Sequence, residues 1–148
     1  GCAMNERHRV VGRDEGRAGR ANAARYWGPV VLYAGVIFYL SAQSHPEEDL
    51  PSFLGLLSDK VLHAGEYAGL GGLCYRAFRW GTSERVGMRA FFFAVVAASL
   101  YGVTDEVHQL FVPFRESSWQ DWVADSIGAV LGAAGAMHGA GVVGRTGT

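Results

Sequence analysis

From Tyr26 to Pro46 the chain carries no Asp, Glu, Lys or Arg, and its centre, Trp27 to Leu40, is apolar on every side with no amphipathic period. About 20 apolar residues in helical form cross a bilayer, and this run supplies them. A second run spans Ala90 to Thr104, includes Phe91, Phe92, Phe93 and Leu100, and continues through a polar patch to Phe111 and Val112. A third, Ser126 to Gly144, is rich in Gly and Ala. The stretch Val61 to Tyr75 is weaker because it holds His63 and Glu66. Polar groups inside a membrane span are costly, so these mark a side that faces protein or water. The runs are too long for barrel strands and do not alternate. The pattern predicts an all-α protein, an integral membrane four-helix bundle over residues 26–144, between an arm at 1–25 and a tail at 145–148. A soluble helical domain is the alternative. It fits less well, because the first and third segments offer no polar face to water.

Charge sets the expected orientation. The arm holds Arg7, Arg9, Arg13, Arg17, Arg20 and Arg25, against Glu6, Asp14 and Glu15. The connection between the second and third helices holds Arg76, Arg79, Arg85 and Arg89 against Glu84. The first connection holds Glu47, Glu48, Asp49 and Asp59 against Lys60. By the positive-inside rule both termini are cytoplasmic, and residues 46–58 lie outside the cell membrane. The arm, full of Arg, Gly and Ala, is expected to be disordered.

Composition narrows the classes further. Of 148 residues, 49% are apolar and 18% charged, with a formal net charge of -1. A disordered chain, a coiled coil and a basic nucleic-acid-binding domain are all excluded by that balance. Cysteines are confined to Cys2 and Cys74, too few for a disulfide scaffold or a thiolate zinc site. Cys74 reads as a small buried hydrophobe.

The predicted topology brings every polar motif to one membrane face. Asp59, His63 and Tyr67 align at i, i+4 and i+8, with Glu66 beside them. Tyr101, Asp105, His108 and Gln109 share a face of the third helix, and Glu106 sits about 100° away from Asp105. On the fourth segment Ser118, Asp121, Asp125, Gly128, Gly132, Gly135 and Gly139 recur three and four apart. That stripe is polar near the surface and free of side chains deeper in, where a neighbouring helix approaches closely. His63, Glu66, Asp105, Glu106, His108 and Asp121 are competent metal ligands, but their spacing forms no strong signature. A hydrogen-bonded polar network is the expectation, with no metal and no cofactor assigned. His63, Asp105, Glu106 and His108 are the candidates for acid–base chemistry. Arg115 suits a phosphate or carboxylate, with a helix N-terminus just beyond it. Trp119 and Trp122 fit an interfacial aromatic belt.

These residues carry a resemblance. Asp59-Lys60-x-x-His63-x-x-x-Tyr67, followed by Tyr101-Gly102-x-x-Asp105-Glu106-x-His108-Gln109-x-Phe111-Val112-Pro113-x-Arg115-x-x-Ser118-x-x-Asp121-x-x-Asp125-x-x-Gly128-x-x-x-Gly132, resembles the VanZ-like family. Ser41-Ala42-Gln43 at the end of the first helix resembles it too. Phe114 stands where a glycine is usual, and Asp125 where asparagine is usual. The resemblance implies a small bacterial membrane protein of the envelope, multi-pass in the cytoplasmic membrane, of a family linked to lowered teicoplanin susceptibility. It implies no reaction.

Three function classes follow. The first is a non-enzymatic envelope protein whose outer polar pocket binds a lipid headgroup or a lipid-linked cell-wall precursor. Its ligand contacts would come from Asp59, Lys60, His63, Tyr67, Tyr101, Asp105, Glu106, His108, Gln109, Arg115, Ser118, Asp121 and Asp125. The second is an intramembrane enzyme acting on a phosphate- or acyl-bearing lipid through a histidine base. The third is a transporter, which suits the chain less because its ionisable residues crowd one face.

Overall fold

The computed structural model of the protein describes residues 2–43, 59–82, 87–113 and 118–146, with side chains described for 21–43, 60–82, 87–113 and 118–142. Four helices make up these residues: α1 (Cys2–Ser41), α2 (Asp59–Trp80), α3 (Gly87–Gln109) and α4 (Trp119–Thr146). No strand occurs among them. The all-helical expectation is met, and the helices fall on the four apolar stretches. α1 also takes in the arm expected to lack order. Its Arg, Ala and Glu residues favour a helix, against the cost of Gly12, Gly16 and Gly19.

Successive helices run antiparallel. Tyr26 of α1 stacks on Trp80 at the far end of α2, with ring centroids 6.3 Å apart, and Trp27 meets Phe78 edge-on at 5.0 Å. Asn22 Nδ2 donates to the Trp80 carbonyl at 3.0 Å. At the opposite end, Ser41 of α1 lies beside Asp105 of α3. α2 is the hub of the bundle: it packs most broadly on α4 and also touches α3 and α1.

Side-chain size decides which way each helix faces. On α3 the buried stripe is Ala90, Ala94, Ala98 and Gly102, ending in Asp105, Glu106 and Gln109. Its outward faces carry Phe92, Leu100 and Phe111, and Phe111 is 81% exposed. α1 repeats the pattern, with Leu32 at 73% exposed while Ile37 is enclosed. On α3 the buried side chains are small or polar while large hydrophobes stay exposed; elsewhere Ile37, Tyr67, Leu70 and Tyr75 form an enclosed apolar core. By length and composition one described helix, Gly87–Gln109, suffices to cross a membrane. The expectation had been four; Lys60, Glu66, Arg76 and Arg79 on α2 and the glycines of α4 dilute the apolarity of those helices.

Glycine sets the closest contact. A Cβ at Gly128 would fall on the Ala64 carbonyl, one at Gly132 on the Ala68 carbonyl, and one at Gly71 on the backbone of Ala129. α2 and α4 therefore meet backbone to backbone. The predicted stripe ends there. Gly135 and Gly139 have nothing within 4 Å of an added Cβ, so they take no part in this seam.

Candidate functional site

The polar end of the bundle is assembled from all four helices. On the α1 side, Ser41 Oγ donates to Asp105 Oδ2 at 2.6 Å. Gln109 Nε2, one turn further along α3, donates to the same carboxylate oxygen at 3.1 Å and to Ser41 Oγ at 3.2 Å. All three residues are buried. Helical periodicity places Asp105 and Gln109 together, and their common face meets α1.

Glu106 is turned toward α4 instead. Its Oε2 accepts the backbone N–H of Ser118 at 2.8 Å. Ser118 is the N-cap of α4: its carbonyl accepts from Asp121 N at 3.0 Å, and its hydroxyl accepts from Gln120 N at 3.2 Å. The Ser118 hydroxyl is thus engaged in capping. The negative charge of Glu106 also suits the partly positive start of α4.

Between α2 and α4, His63 Nδ1 and Asp125 Oδ1 are 3.0 Å apart, and the Asp125 side chain is fully enclosed. One turn nearer the end, Lys60 Nζ pairs with Asp121 Oδ1; Lys60 keeps half its side chain in the open while Asp121 is buried. One ligand-capable atom from each of His63, Glu106 and Asp125 lies within 4.8 Å of the other two. Asp105, Glu106, Asp121 and Asp125 outnumber Lys60 and His63 among the described residues of this cluster. Asp105 Oδ1, Asp125 Oδ2 and the Tyr67 hydroxyl are buried and have no hydrogen-bond partner among the described atoms.

Other expected members are placed differently. His108 does not join the cluster: its ring stacks on Phe38 of α1 at a centroid distance of 4.2 Å. Tyr101 donates its hydroxyl to the Ala34 carbonyl at 2.6 Å and so fastens α3 to α1. Tyr67 is wholly buried, with its ring 6.4 Å from that of Tyr101. Trp122, expected in an interfacial belt, donates its indole N–H to the Ser99 carbonyl at 3.0 Å, whereas Trp119 stays largely exposed. Cys74 is buried and free, as its apolar setting suggested. Arg115 and the side chain of Asp59 lie outside the described residues. Ser41 was missed as a site residue; its place at the end of the first apolar run, level with Asp105, was the available signal.

A family model described as VanZ/LLP1 matches residues 26–140, most of the chain and all four helices. The chain belongs to the VanZ/LLP1 family. The match begins at Tyr26, which stacks on Trp80 of α2, and so leaves out the basic arm. Within this VanZ-like core lie Ser41, His63, Asp105, Glu106, Asp121 and Asp125, the residues that build the polar end. No curated protein and no solved structure matches the chain.

Proposed function

We propose that this VanZ-family protein is a multi-pass bundle of the bacterial cytoplasmic membrane, with both termini inside the cell. Its polar end faces outward and binds a lipid headgroup or a lipid-linked wall precursor, lowering susceptibility to teicoplanin. The observation that carries this reading is the inverted packing: buried carboxylates at one end, enclosed by helices whose large apolar side chains point outward. Such a surface is satisfied by acyl chains, and a polar cluster at one end then sits at headgroup depth. The carboxylates would accept hydrogen bonds from sugar and amide groups, while Lys60 and Arg115 would take phosphate oxygens. Every described helix is long enough, since 23 residues of α3 rise about 34 Å at about 1.5 Å per residue.

The test is expression in a susceptible Gram-positive host, with protein levels matched by immunoblot. Wild-type protein is expected to lower teicoplanin susceptibility and leave vancomycin little changed. Arg115→Ala should abolish the effect, because Lys60 offers a point charge but no bidentate fork. Arg85→Ala, on the cytoplasmic side by the charge pattern, should retain it. Equal resistance with Arg115→Ala and wild type would refute the pocket mechanism.

A further inference from the structure

We propose that His63, Glu106 and Asp125 form a binding site for one divalent transition-metal ion, Zn2+ being the best fit, inside the polar end of the bundle. The three residues come from α2, α3 and α4, and each is buried. Their nearest ligand atoms all lie within 4.8 Å of one another. Ligands of a single tetrahedral Zn2+, with bonds of about 2.0–2.2 Å, sit roughly 3.3–3.6 Å apart. The Glu106 and Asp125 ligand atoms would have to draw in toward His63 to meet that spacing.

A second observation points the same way. Asp125 has no exposed surface, its Oδ1 is taken by His63, and its Oδ2 has no hydrogen-bond partner among the described atoms. A carboxyl group held dry with half its acceptor capacity unused is costly. Asp105 Oδ1, from the residue next to Glu106 on α3, is likewise buried with no hydrogen-bond partner among the described atoms. Among the described residues the carboxylates of this end outnumber Lys60 and His63, and a dication would offset that excess.

The donor set selects the ion. One imidazole with two carboxylates is harder than a thiolate site and softer than an all-oxygen cage. Zn2+ takes such mixed N and O ligands with three protein groups and one open position. Mg2+ prefers all-oxygen octahedral sites and gives up its water reluctantly. Because the three ligands lie on separate helices, the ion would tie α2, α3 and α4 together at one point.

This inference does not depend on the headgroup reading. Protein that binds Zn2+ yet confers no resistance would keep the metal site and remove only the proposed function.

The experiment uses the full chain, purified tag-free in detergent, stripped with a chelator and titrated with Zn2+ alone by calorimetry. Wild-type protein is expected to bind one Zn2+ per chain. His63→Gln, Glu106→Gln and Asp125→Asn should each weaken binding at least about tenfold. Asp121→Asn, which removes the Lys60 partner beside the site, should change it less than about twofold. Helical circular dichroism and gel filtration report whether each variant folds. Should ligand variants misfold, X-ray absorption at the zinc edge of the wild type decides: a shell of N and O at about 2.0–2.1 Å including an imidazole supports the site. Sulfur in that shell, no Zn2+ bound by folded wild type, or binding undiminished in folded ligand variants would overturn the proposal.

Discussion

His63 and Asp125 join α2 to α4 across 3.0 Å, in a place from which solvent is excluded. The pair sits one turn from the glycine-backed contact of Gly128 on Ala64, so the polar link and the closest helix approach reinforce one another. Removing either side chain breaks a bond between two enclosed residues.

Asp125→Ala is therefore expected to lower unfolding stability by about 2–4 kcal/mol. A polar contact between membrane helices is worth about 0.6 kcal/mol on average, and leaving a buried group unpaired costs about 1–3 kcal/mol more. Asp125→Asn, which can still hydrogen-bond His63, should lose less than half as much. Denaturant unfolding in micelles with chelator present measures both; equal losses would show that the His63 bond is not what stabilises.

The two halves of the glycine stripe should respond oppositely. Gly132→Ala meets the Ala68 carbonyl and should destabilise by about 1–3 kcal/mol. Gly139→Ala enters open space and should be neutral or stabilising by up to about 1 kcal/mol. Paired melting curves check this.

His108→Phe should be nearly silent. The ring stacks on Phe38, and its Nε2 makes no hydrogen bond among the described atoms, so an aromatic replacement keeps the contact. Unchanged melting and unchanged teicoplanin response are expected. A loss of response with normal folding would give His108 the base role that its position on α3 first suggested.

Orientation is open to thiol labelling. In a background with Cys2 and Cys74 replaced, a cysteine at Ser52 should react with a membrane-impermeant reagent on intact cells, and one at Ser83 should not. The reverse pattern would invert the bundle and place its polar end in the cytoplasm.

Much of the site was legible because helical periodicity is rigid. The step of about 100° between Asp105 and Glu106 was readable from sequence, and it sends the first to Ser41 on α1 and the second to Ser118 on α4. What sequence could not say is which helix each face would meet. His108 looked equivalent to Asp105, yet it fell against Phe38, and nothing in the spacing distinguishes a stacked imidazole from a bonded one. The regular glycines suggested one continuous seam, whereas α2 covers only Gly128 and Gly132. The His63, Glu106 and Asp125 grouping was legible only in part: all three were expected at one end, but they lie on three helices, so no local motif says which of them meet.

The backbone-to-backbone seam of α2 and α4 also decides which mutations this protein can absorb. Leu32, Phe92, Leu100 and Leu131 face outward, where one bulky hydrophobe replaces another at little cost. Gly71, Gly128 and Gly132 have no such freedom, because the room a side chain needs is already filled by main chain. Drift is thus channelled to the bulky exterior, and the architecture is specified by residues with almost no side chain.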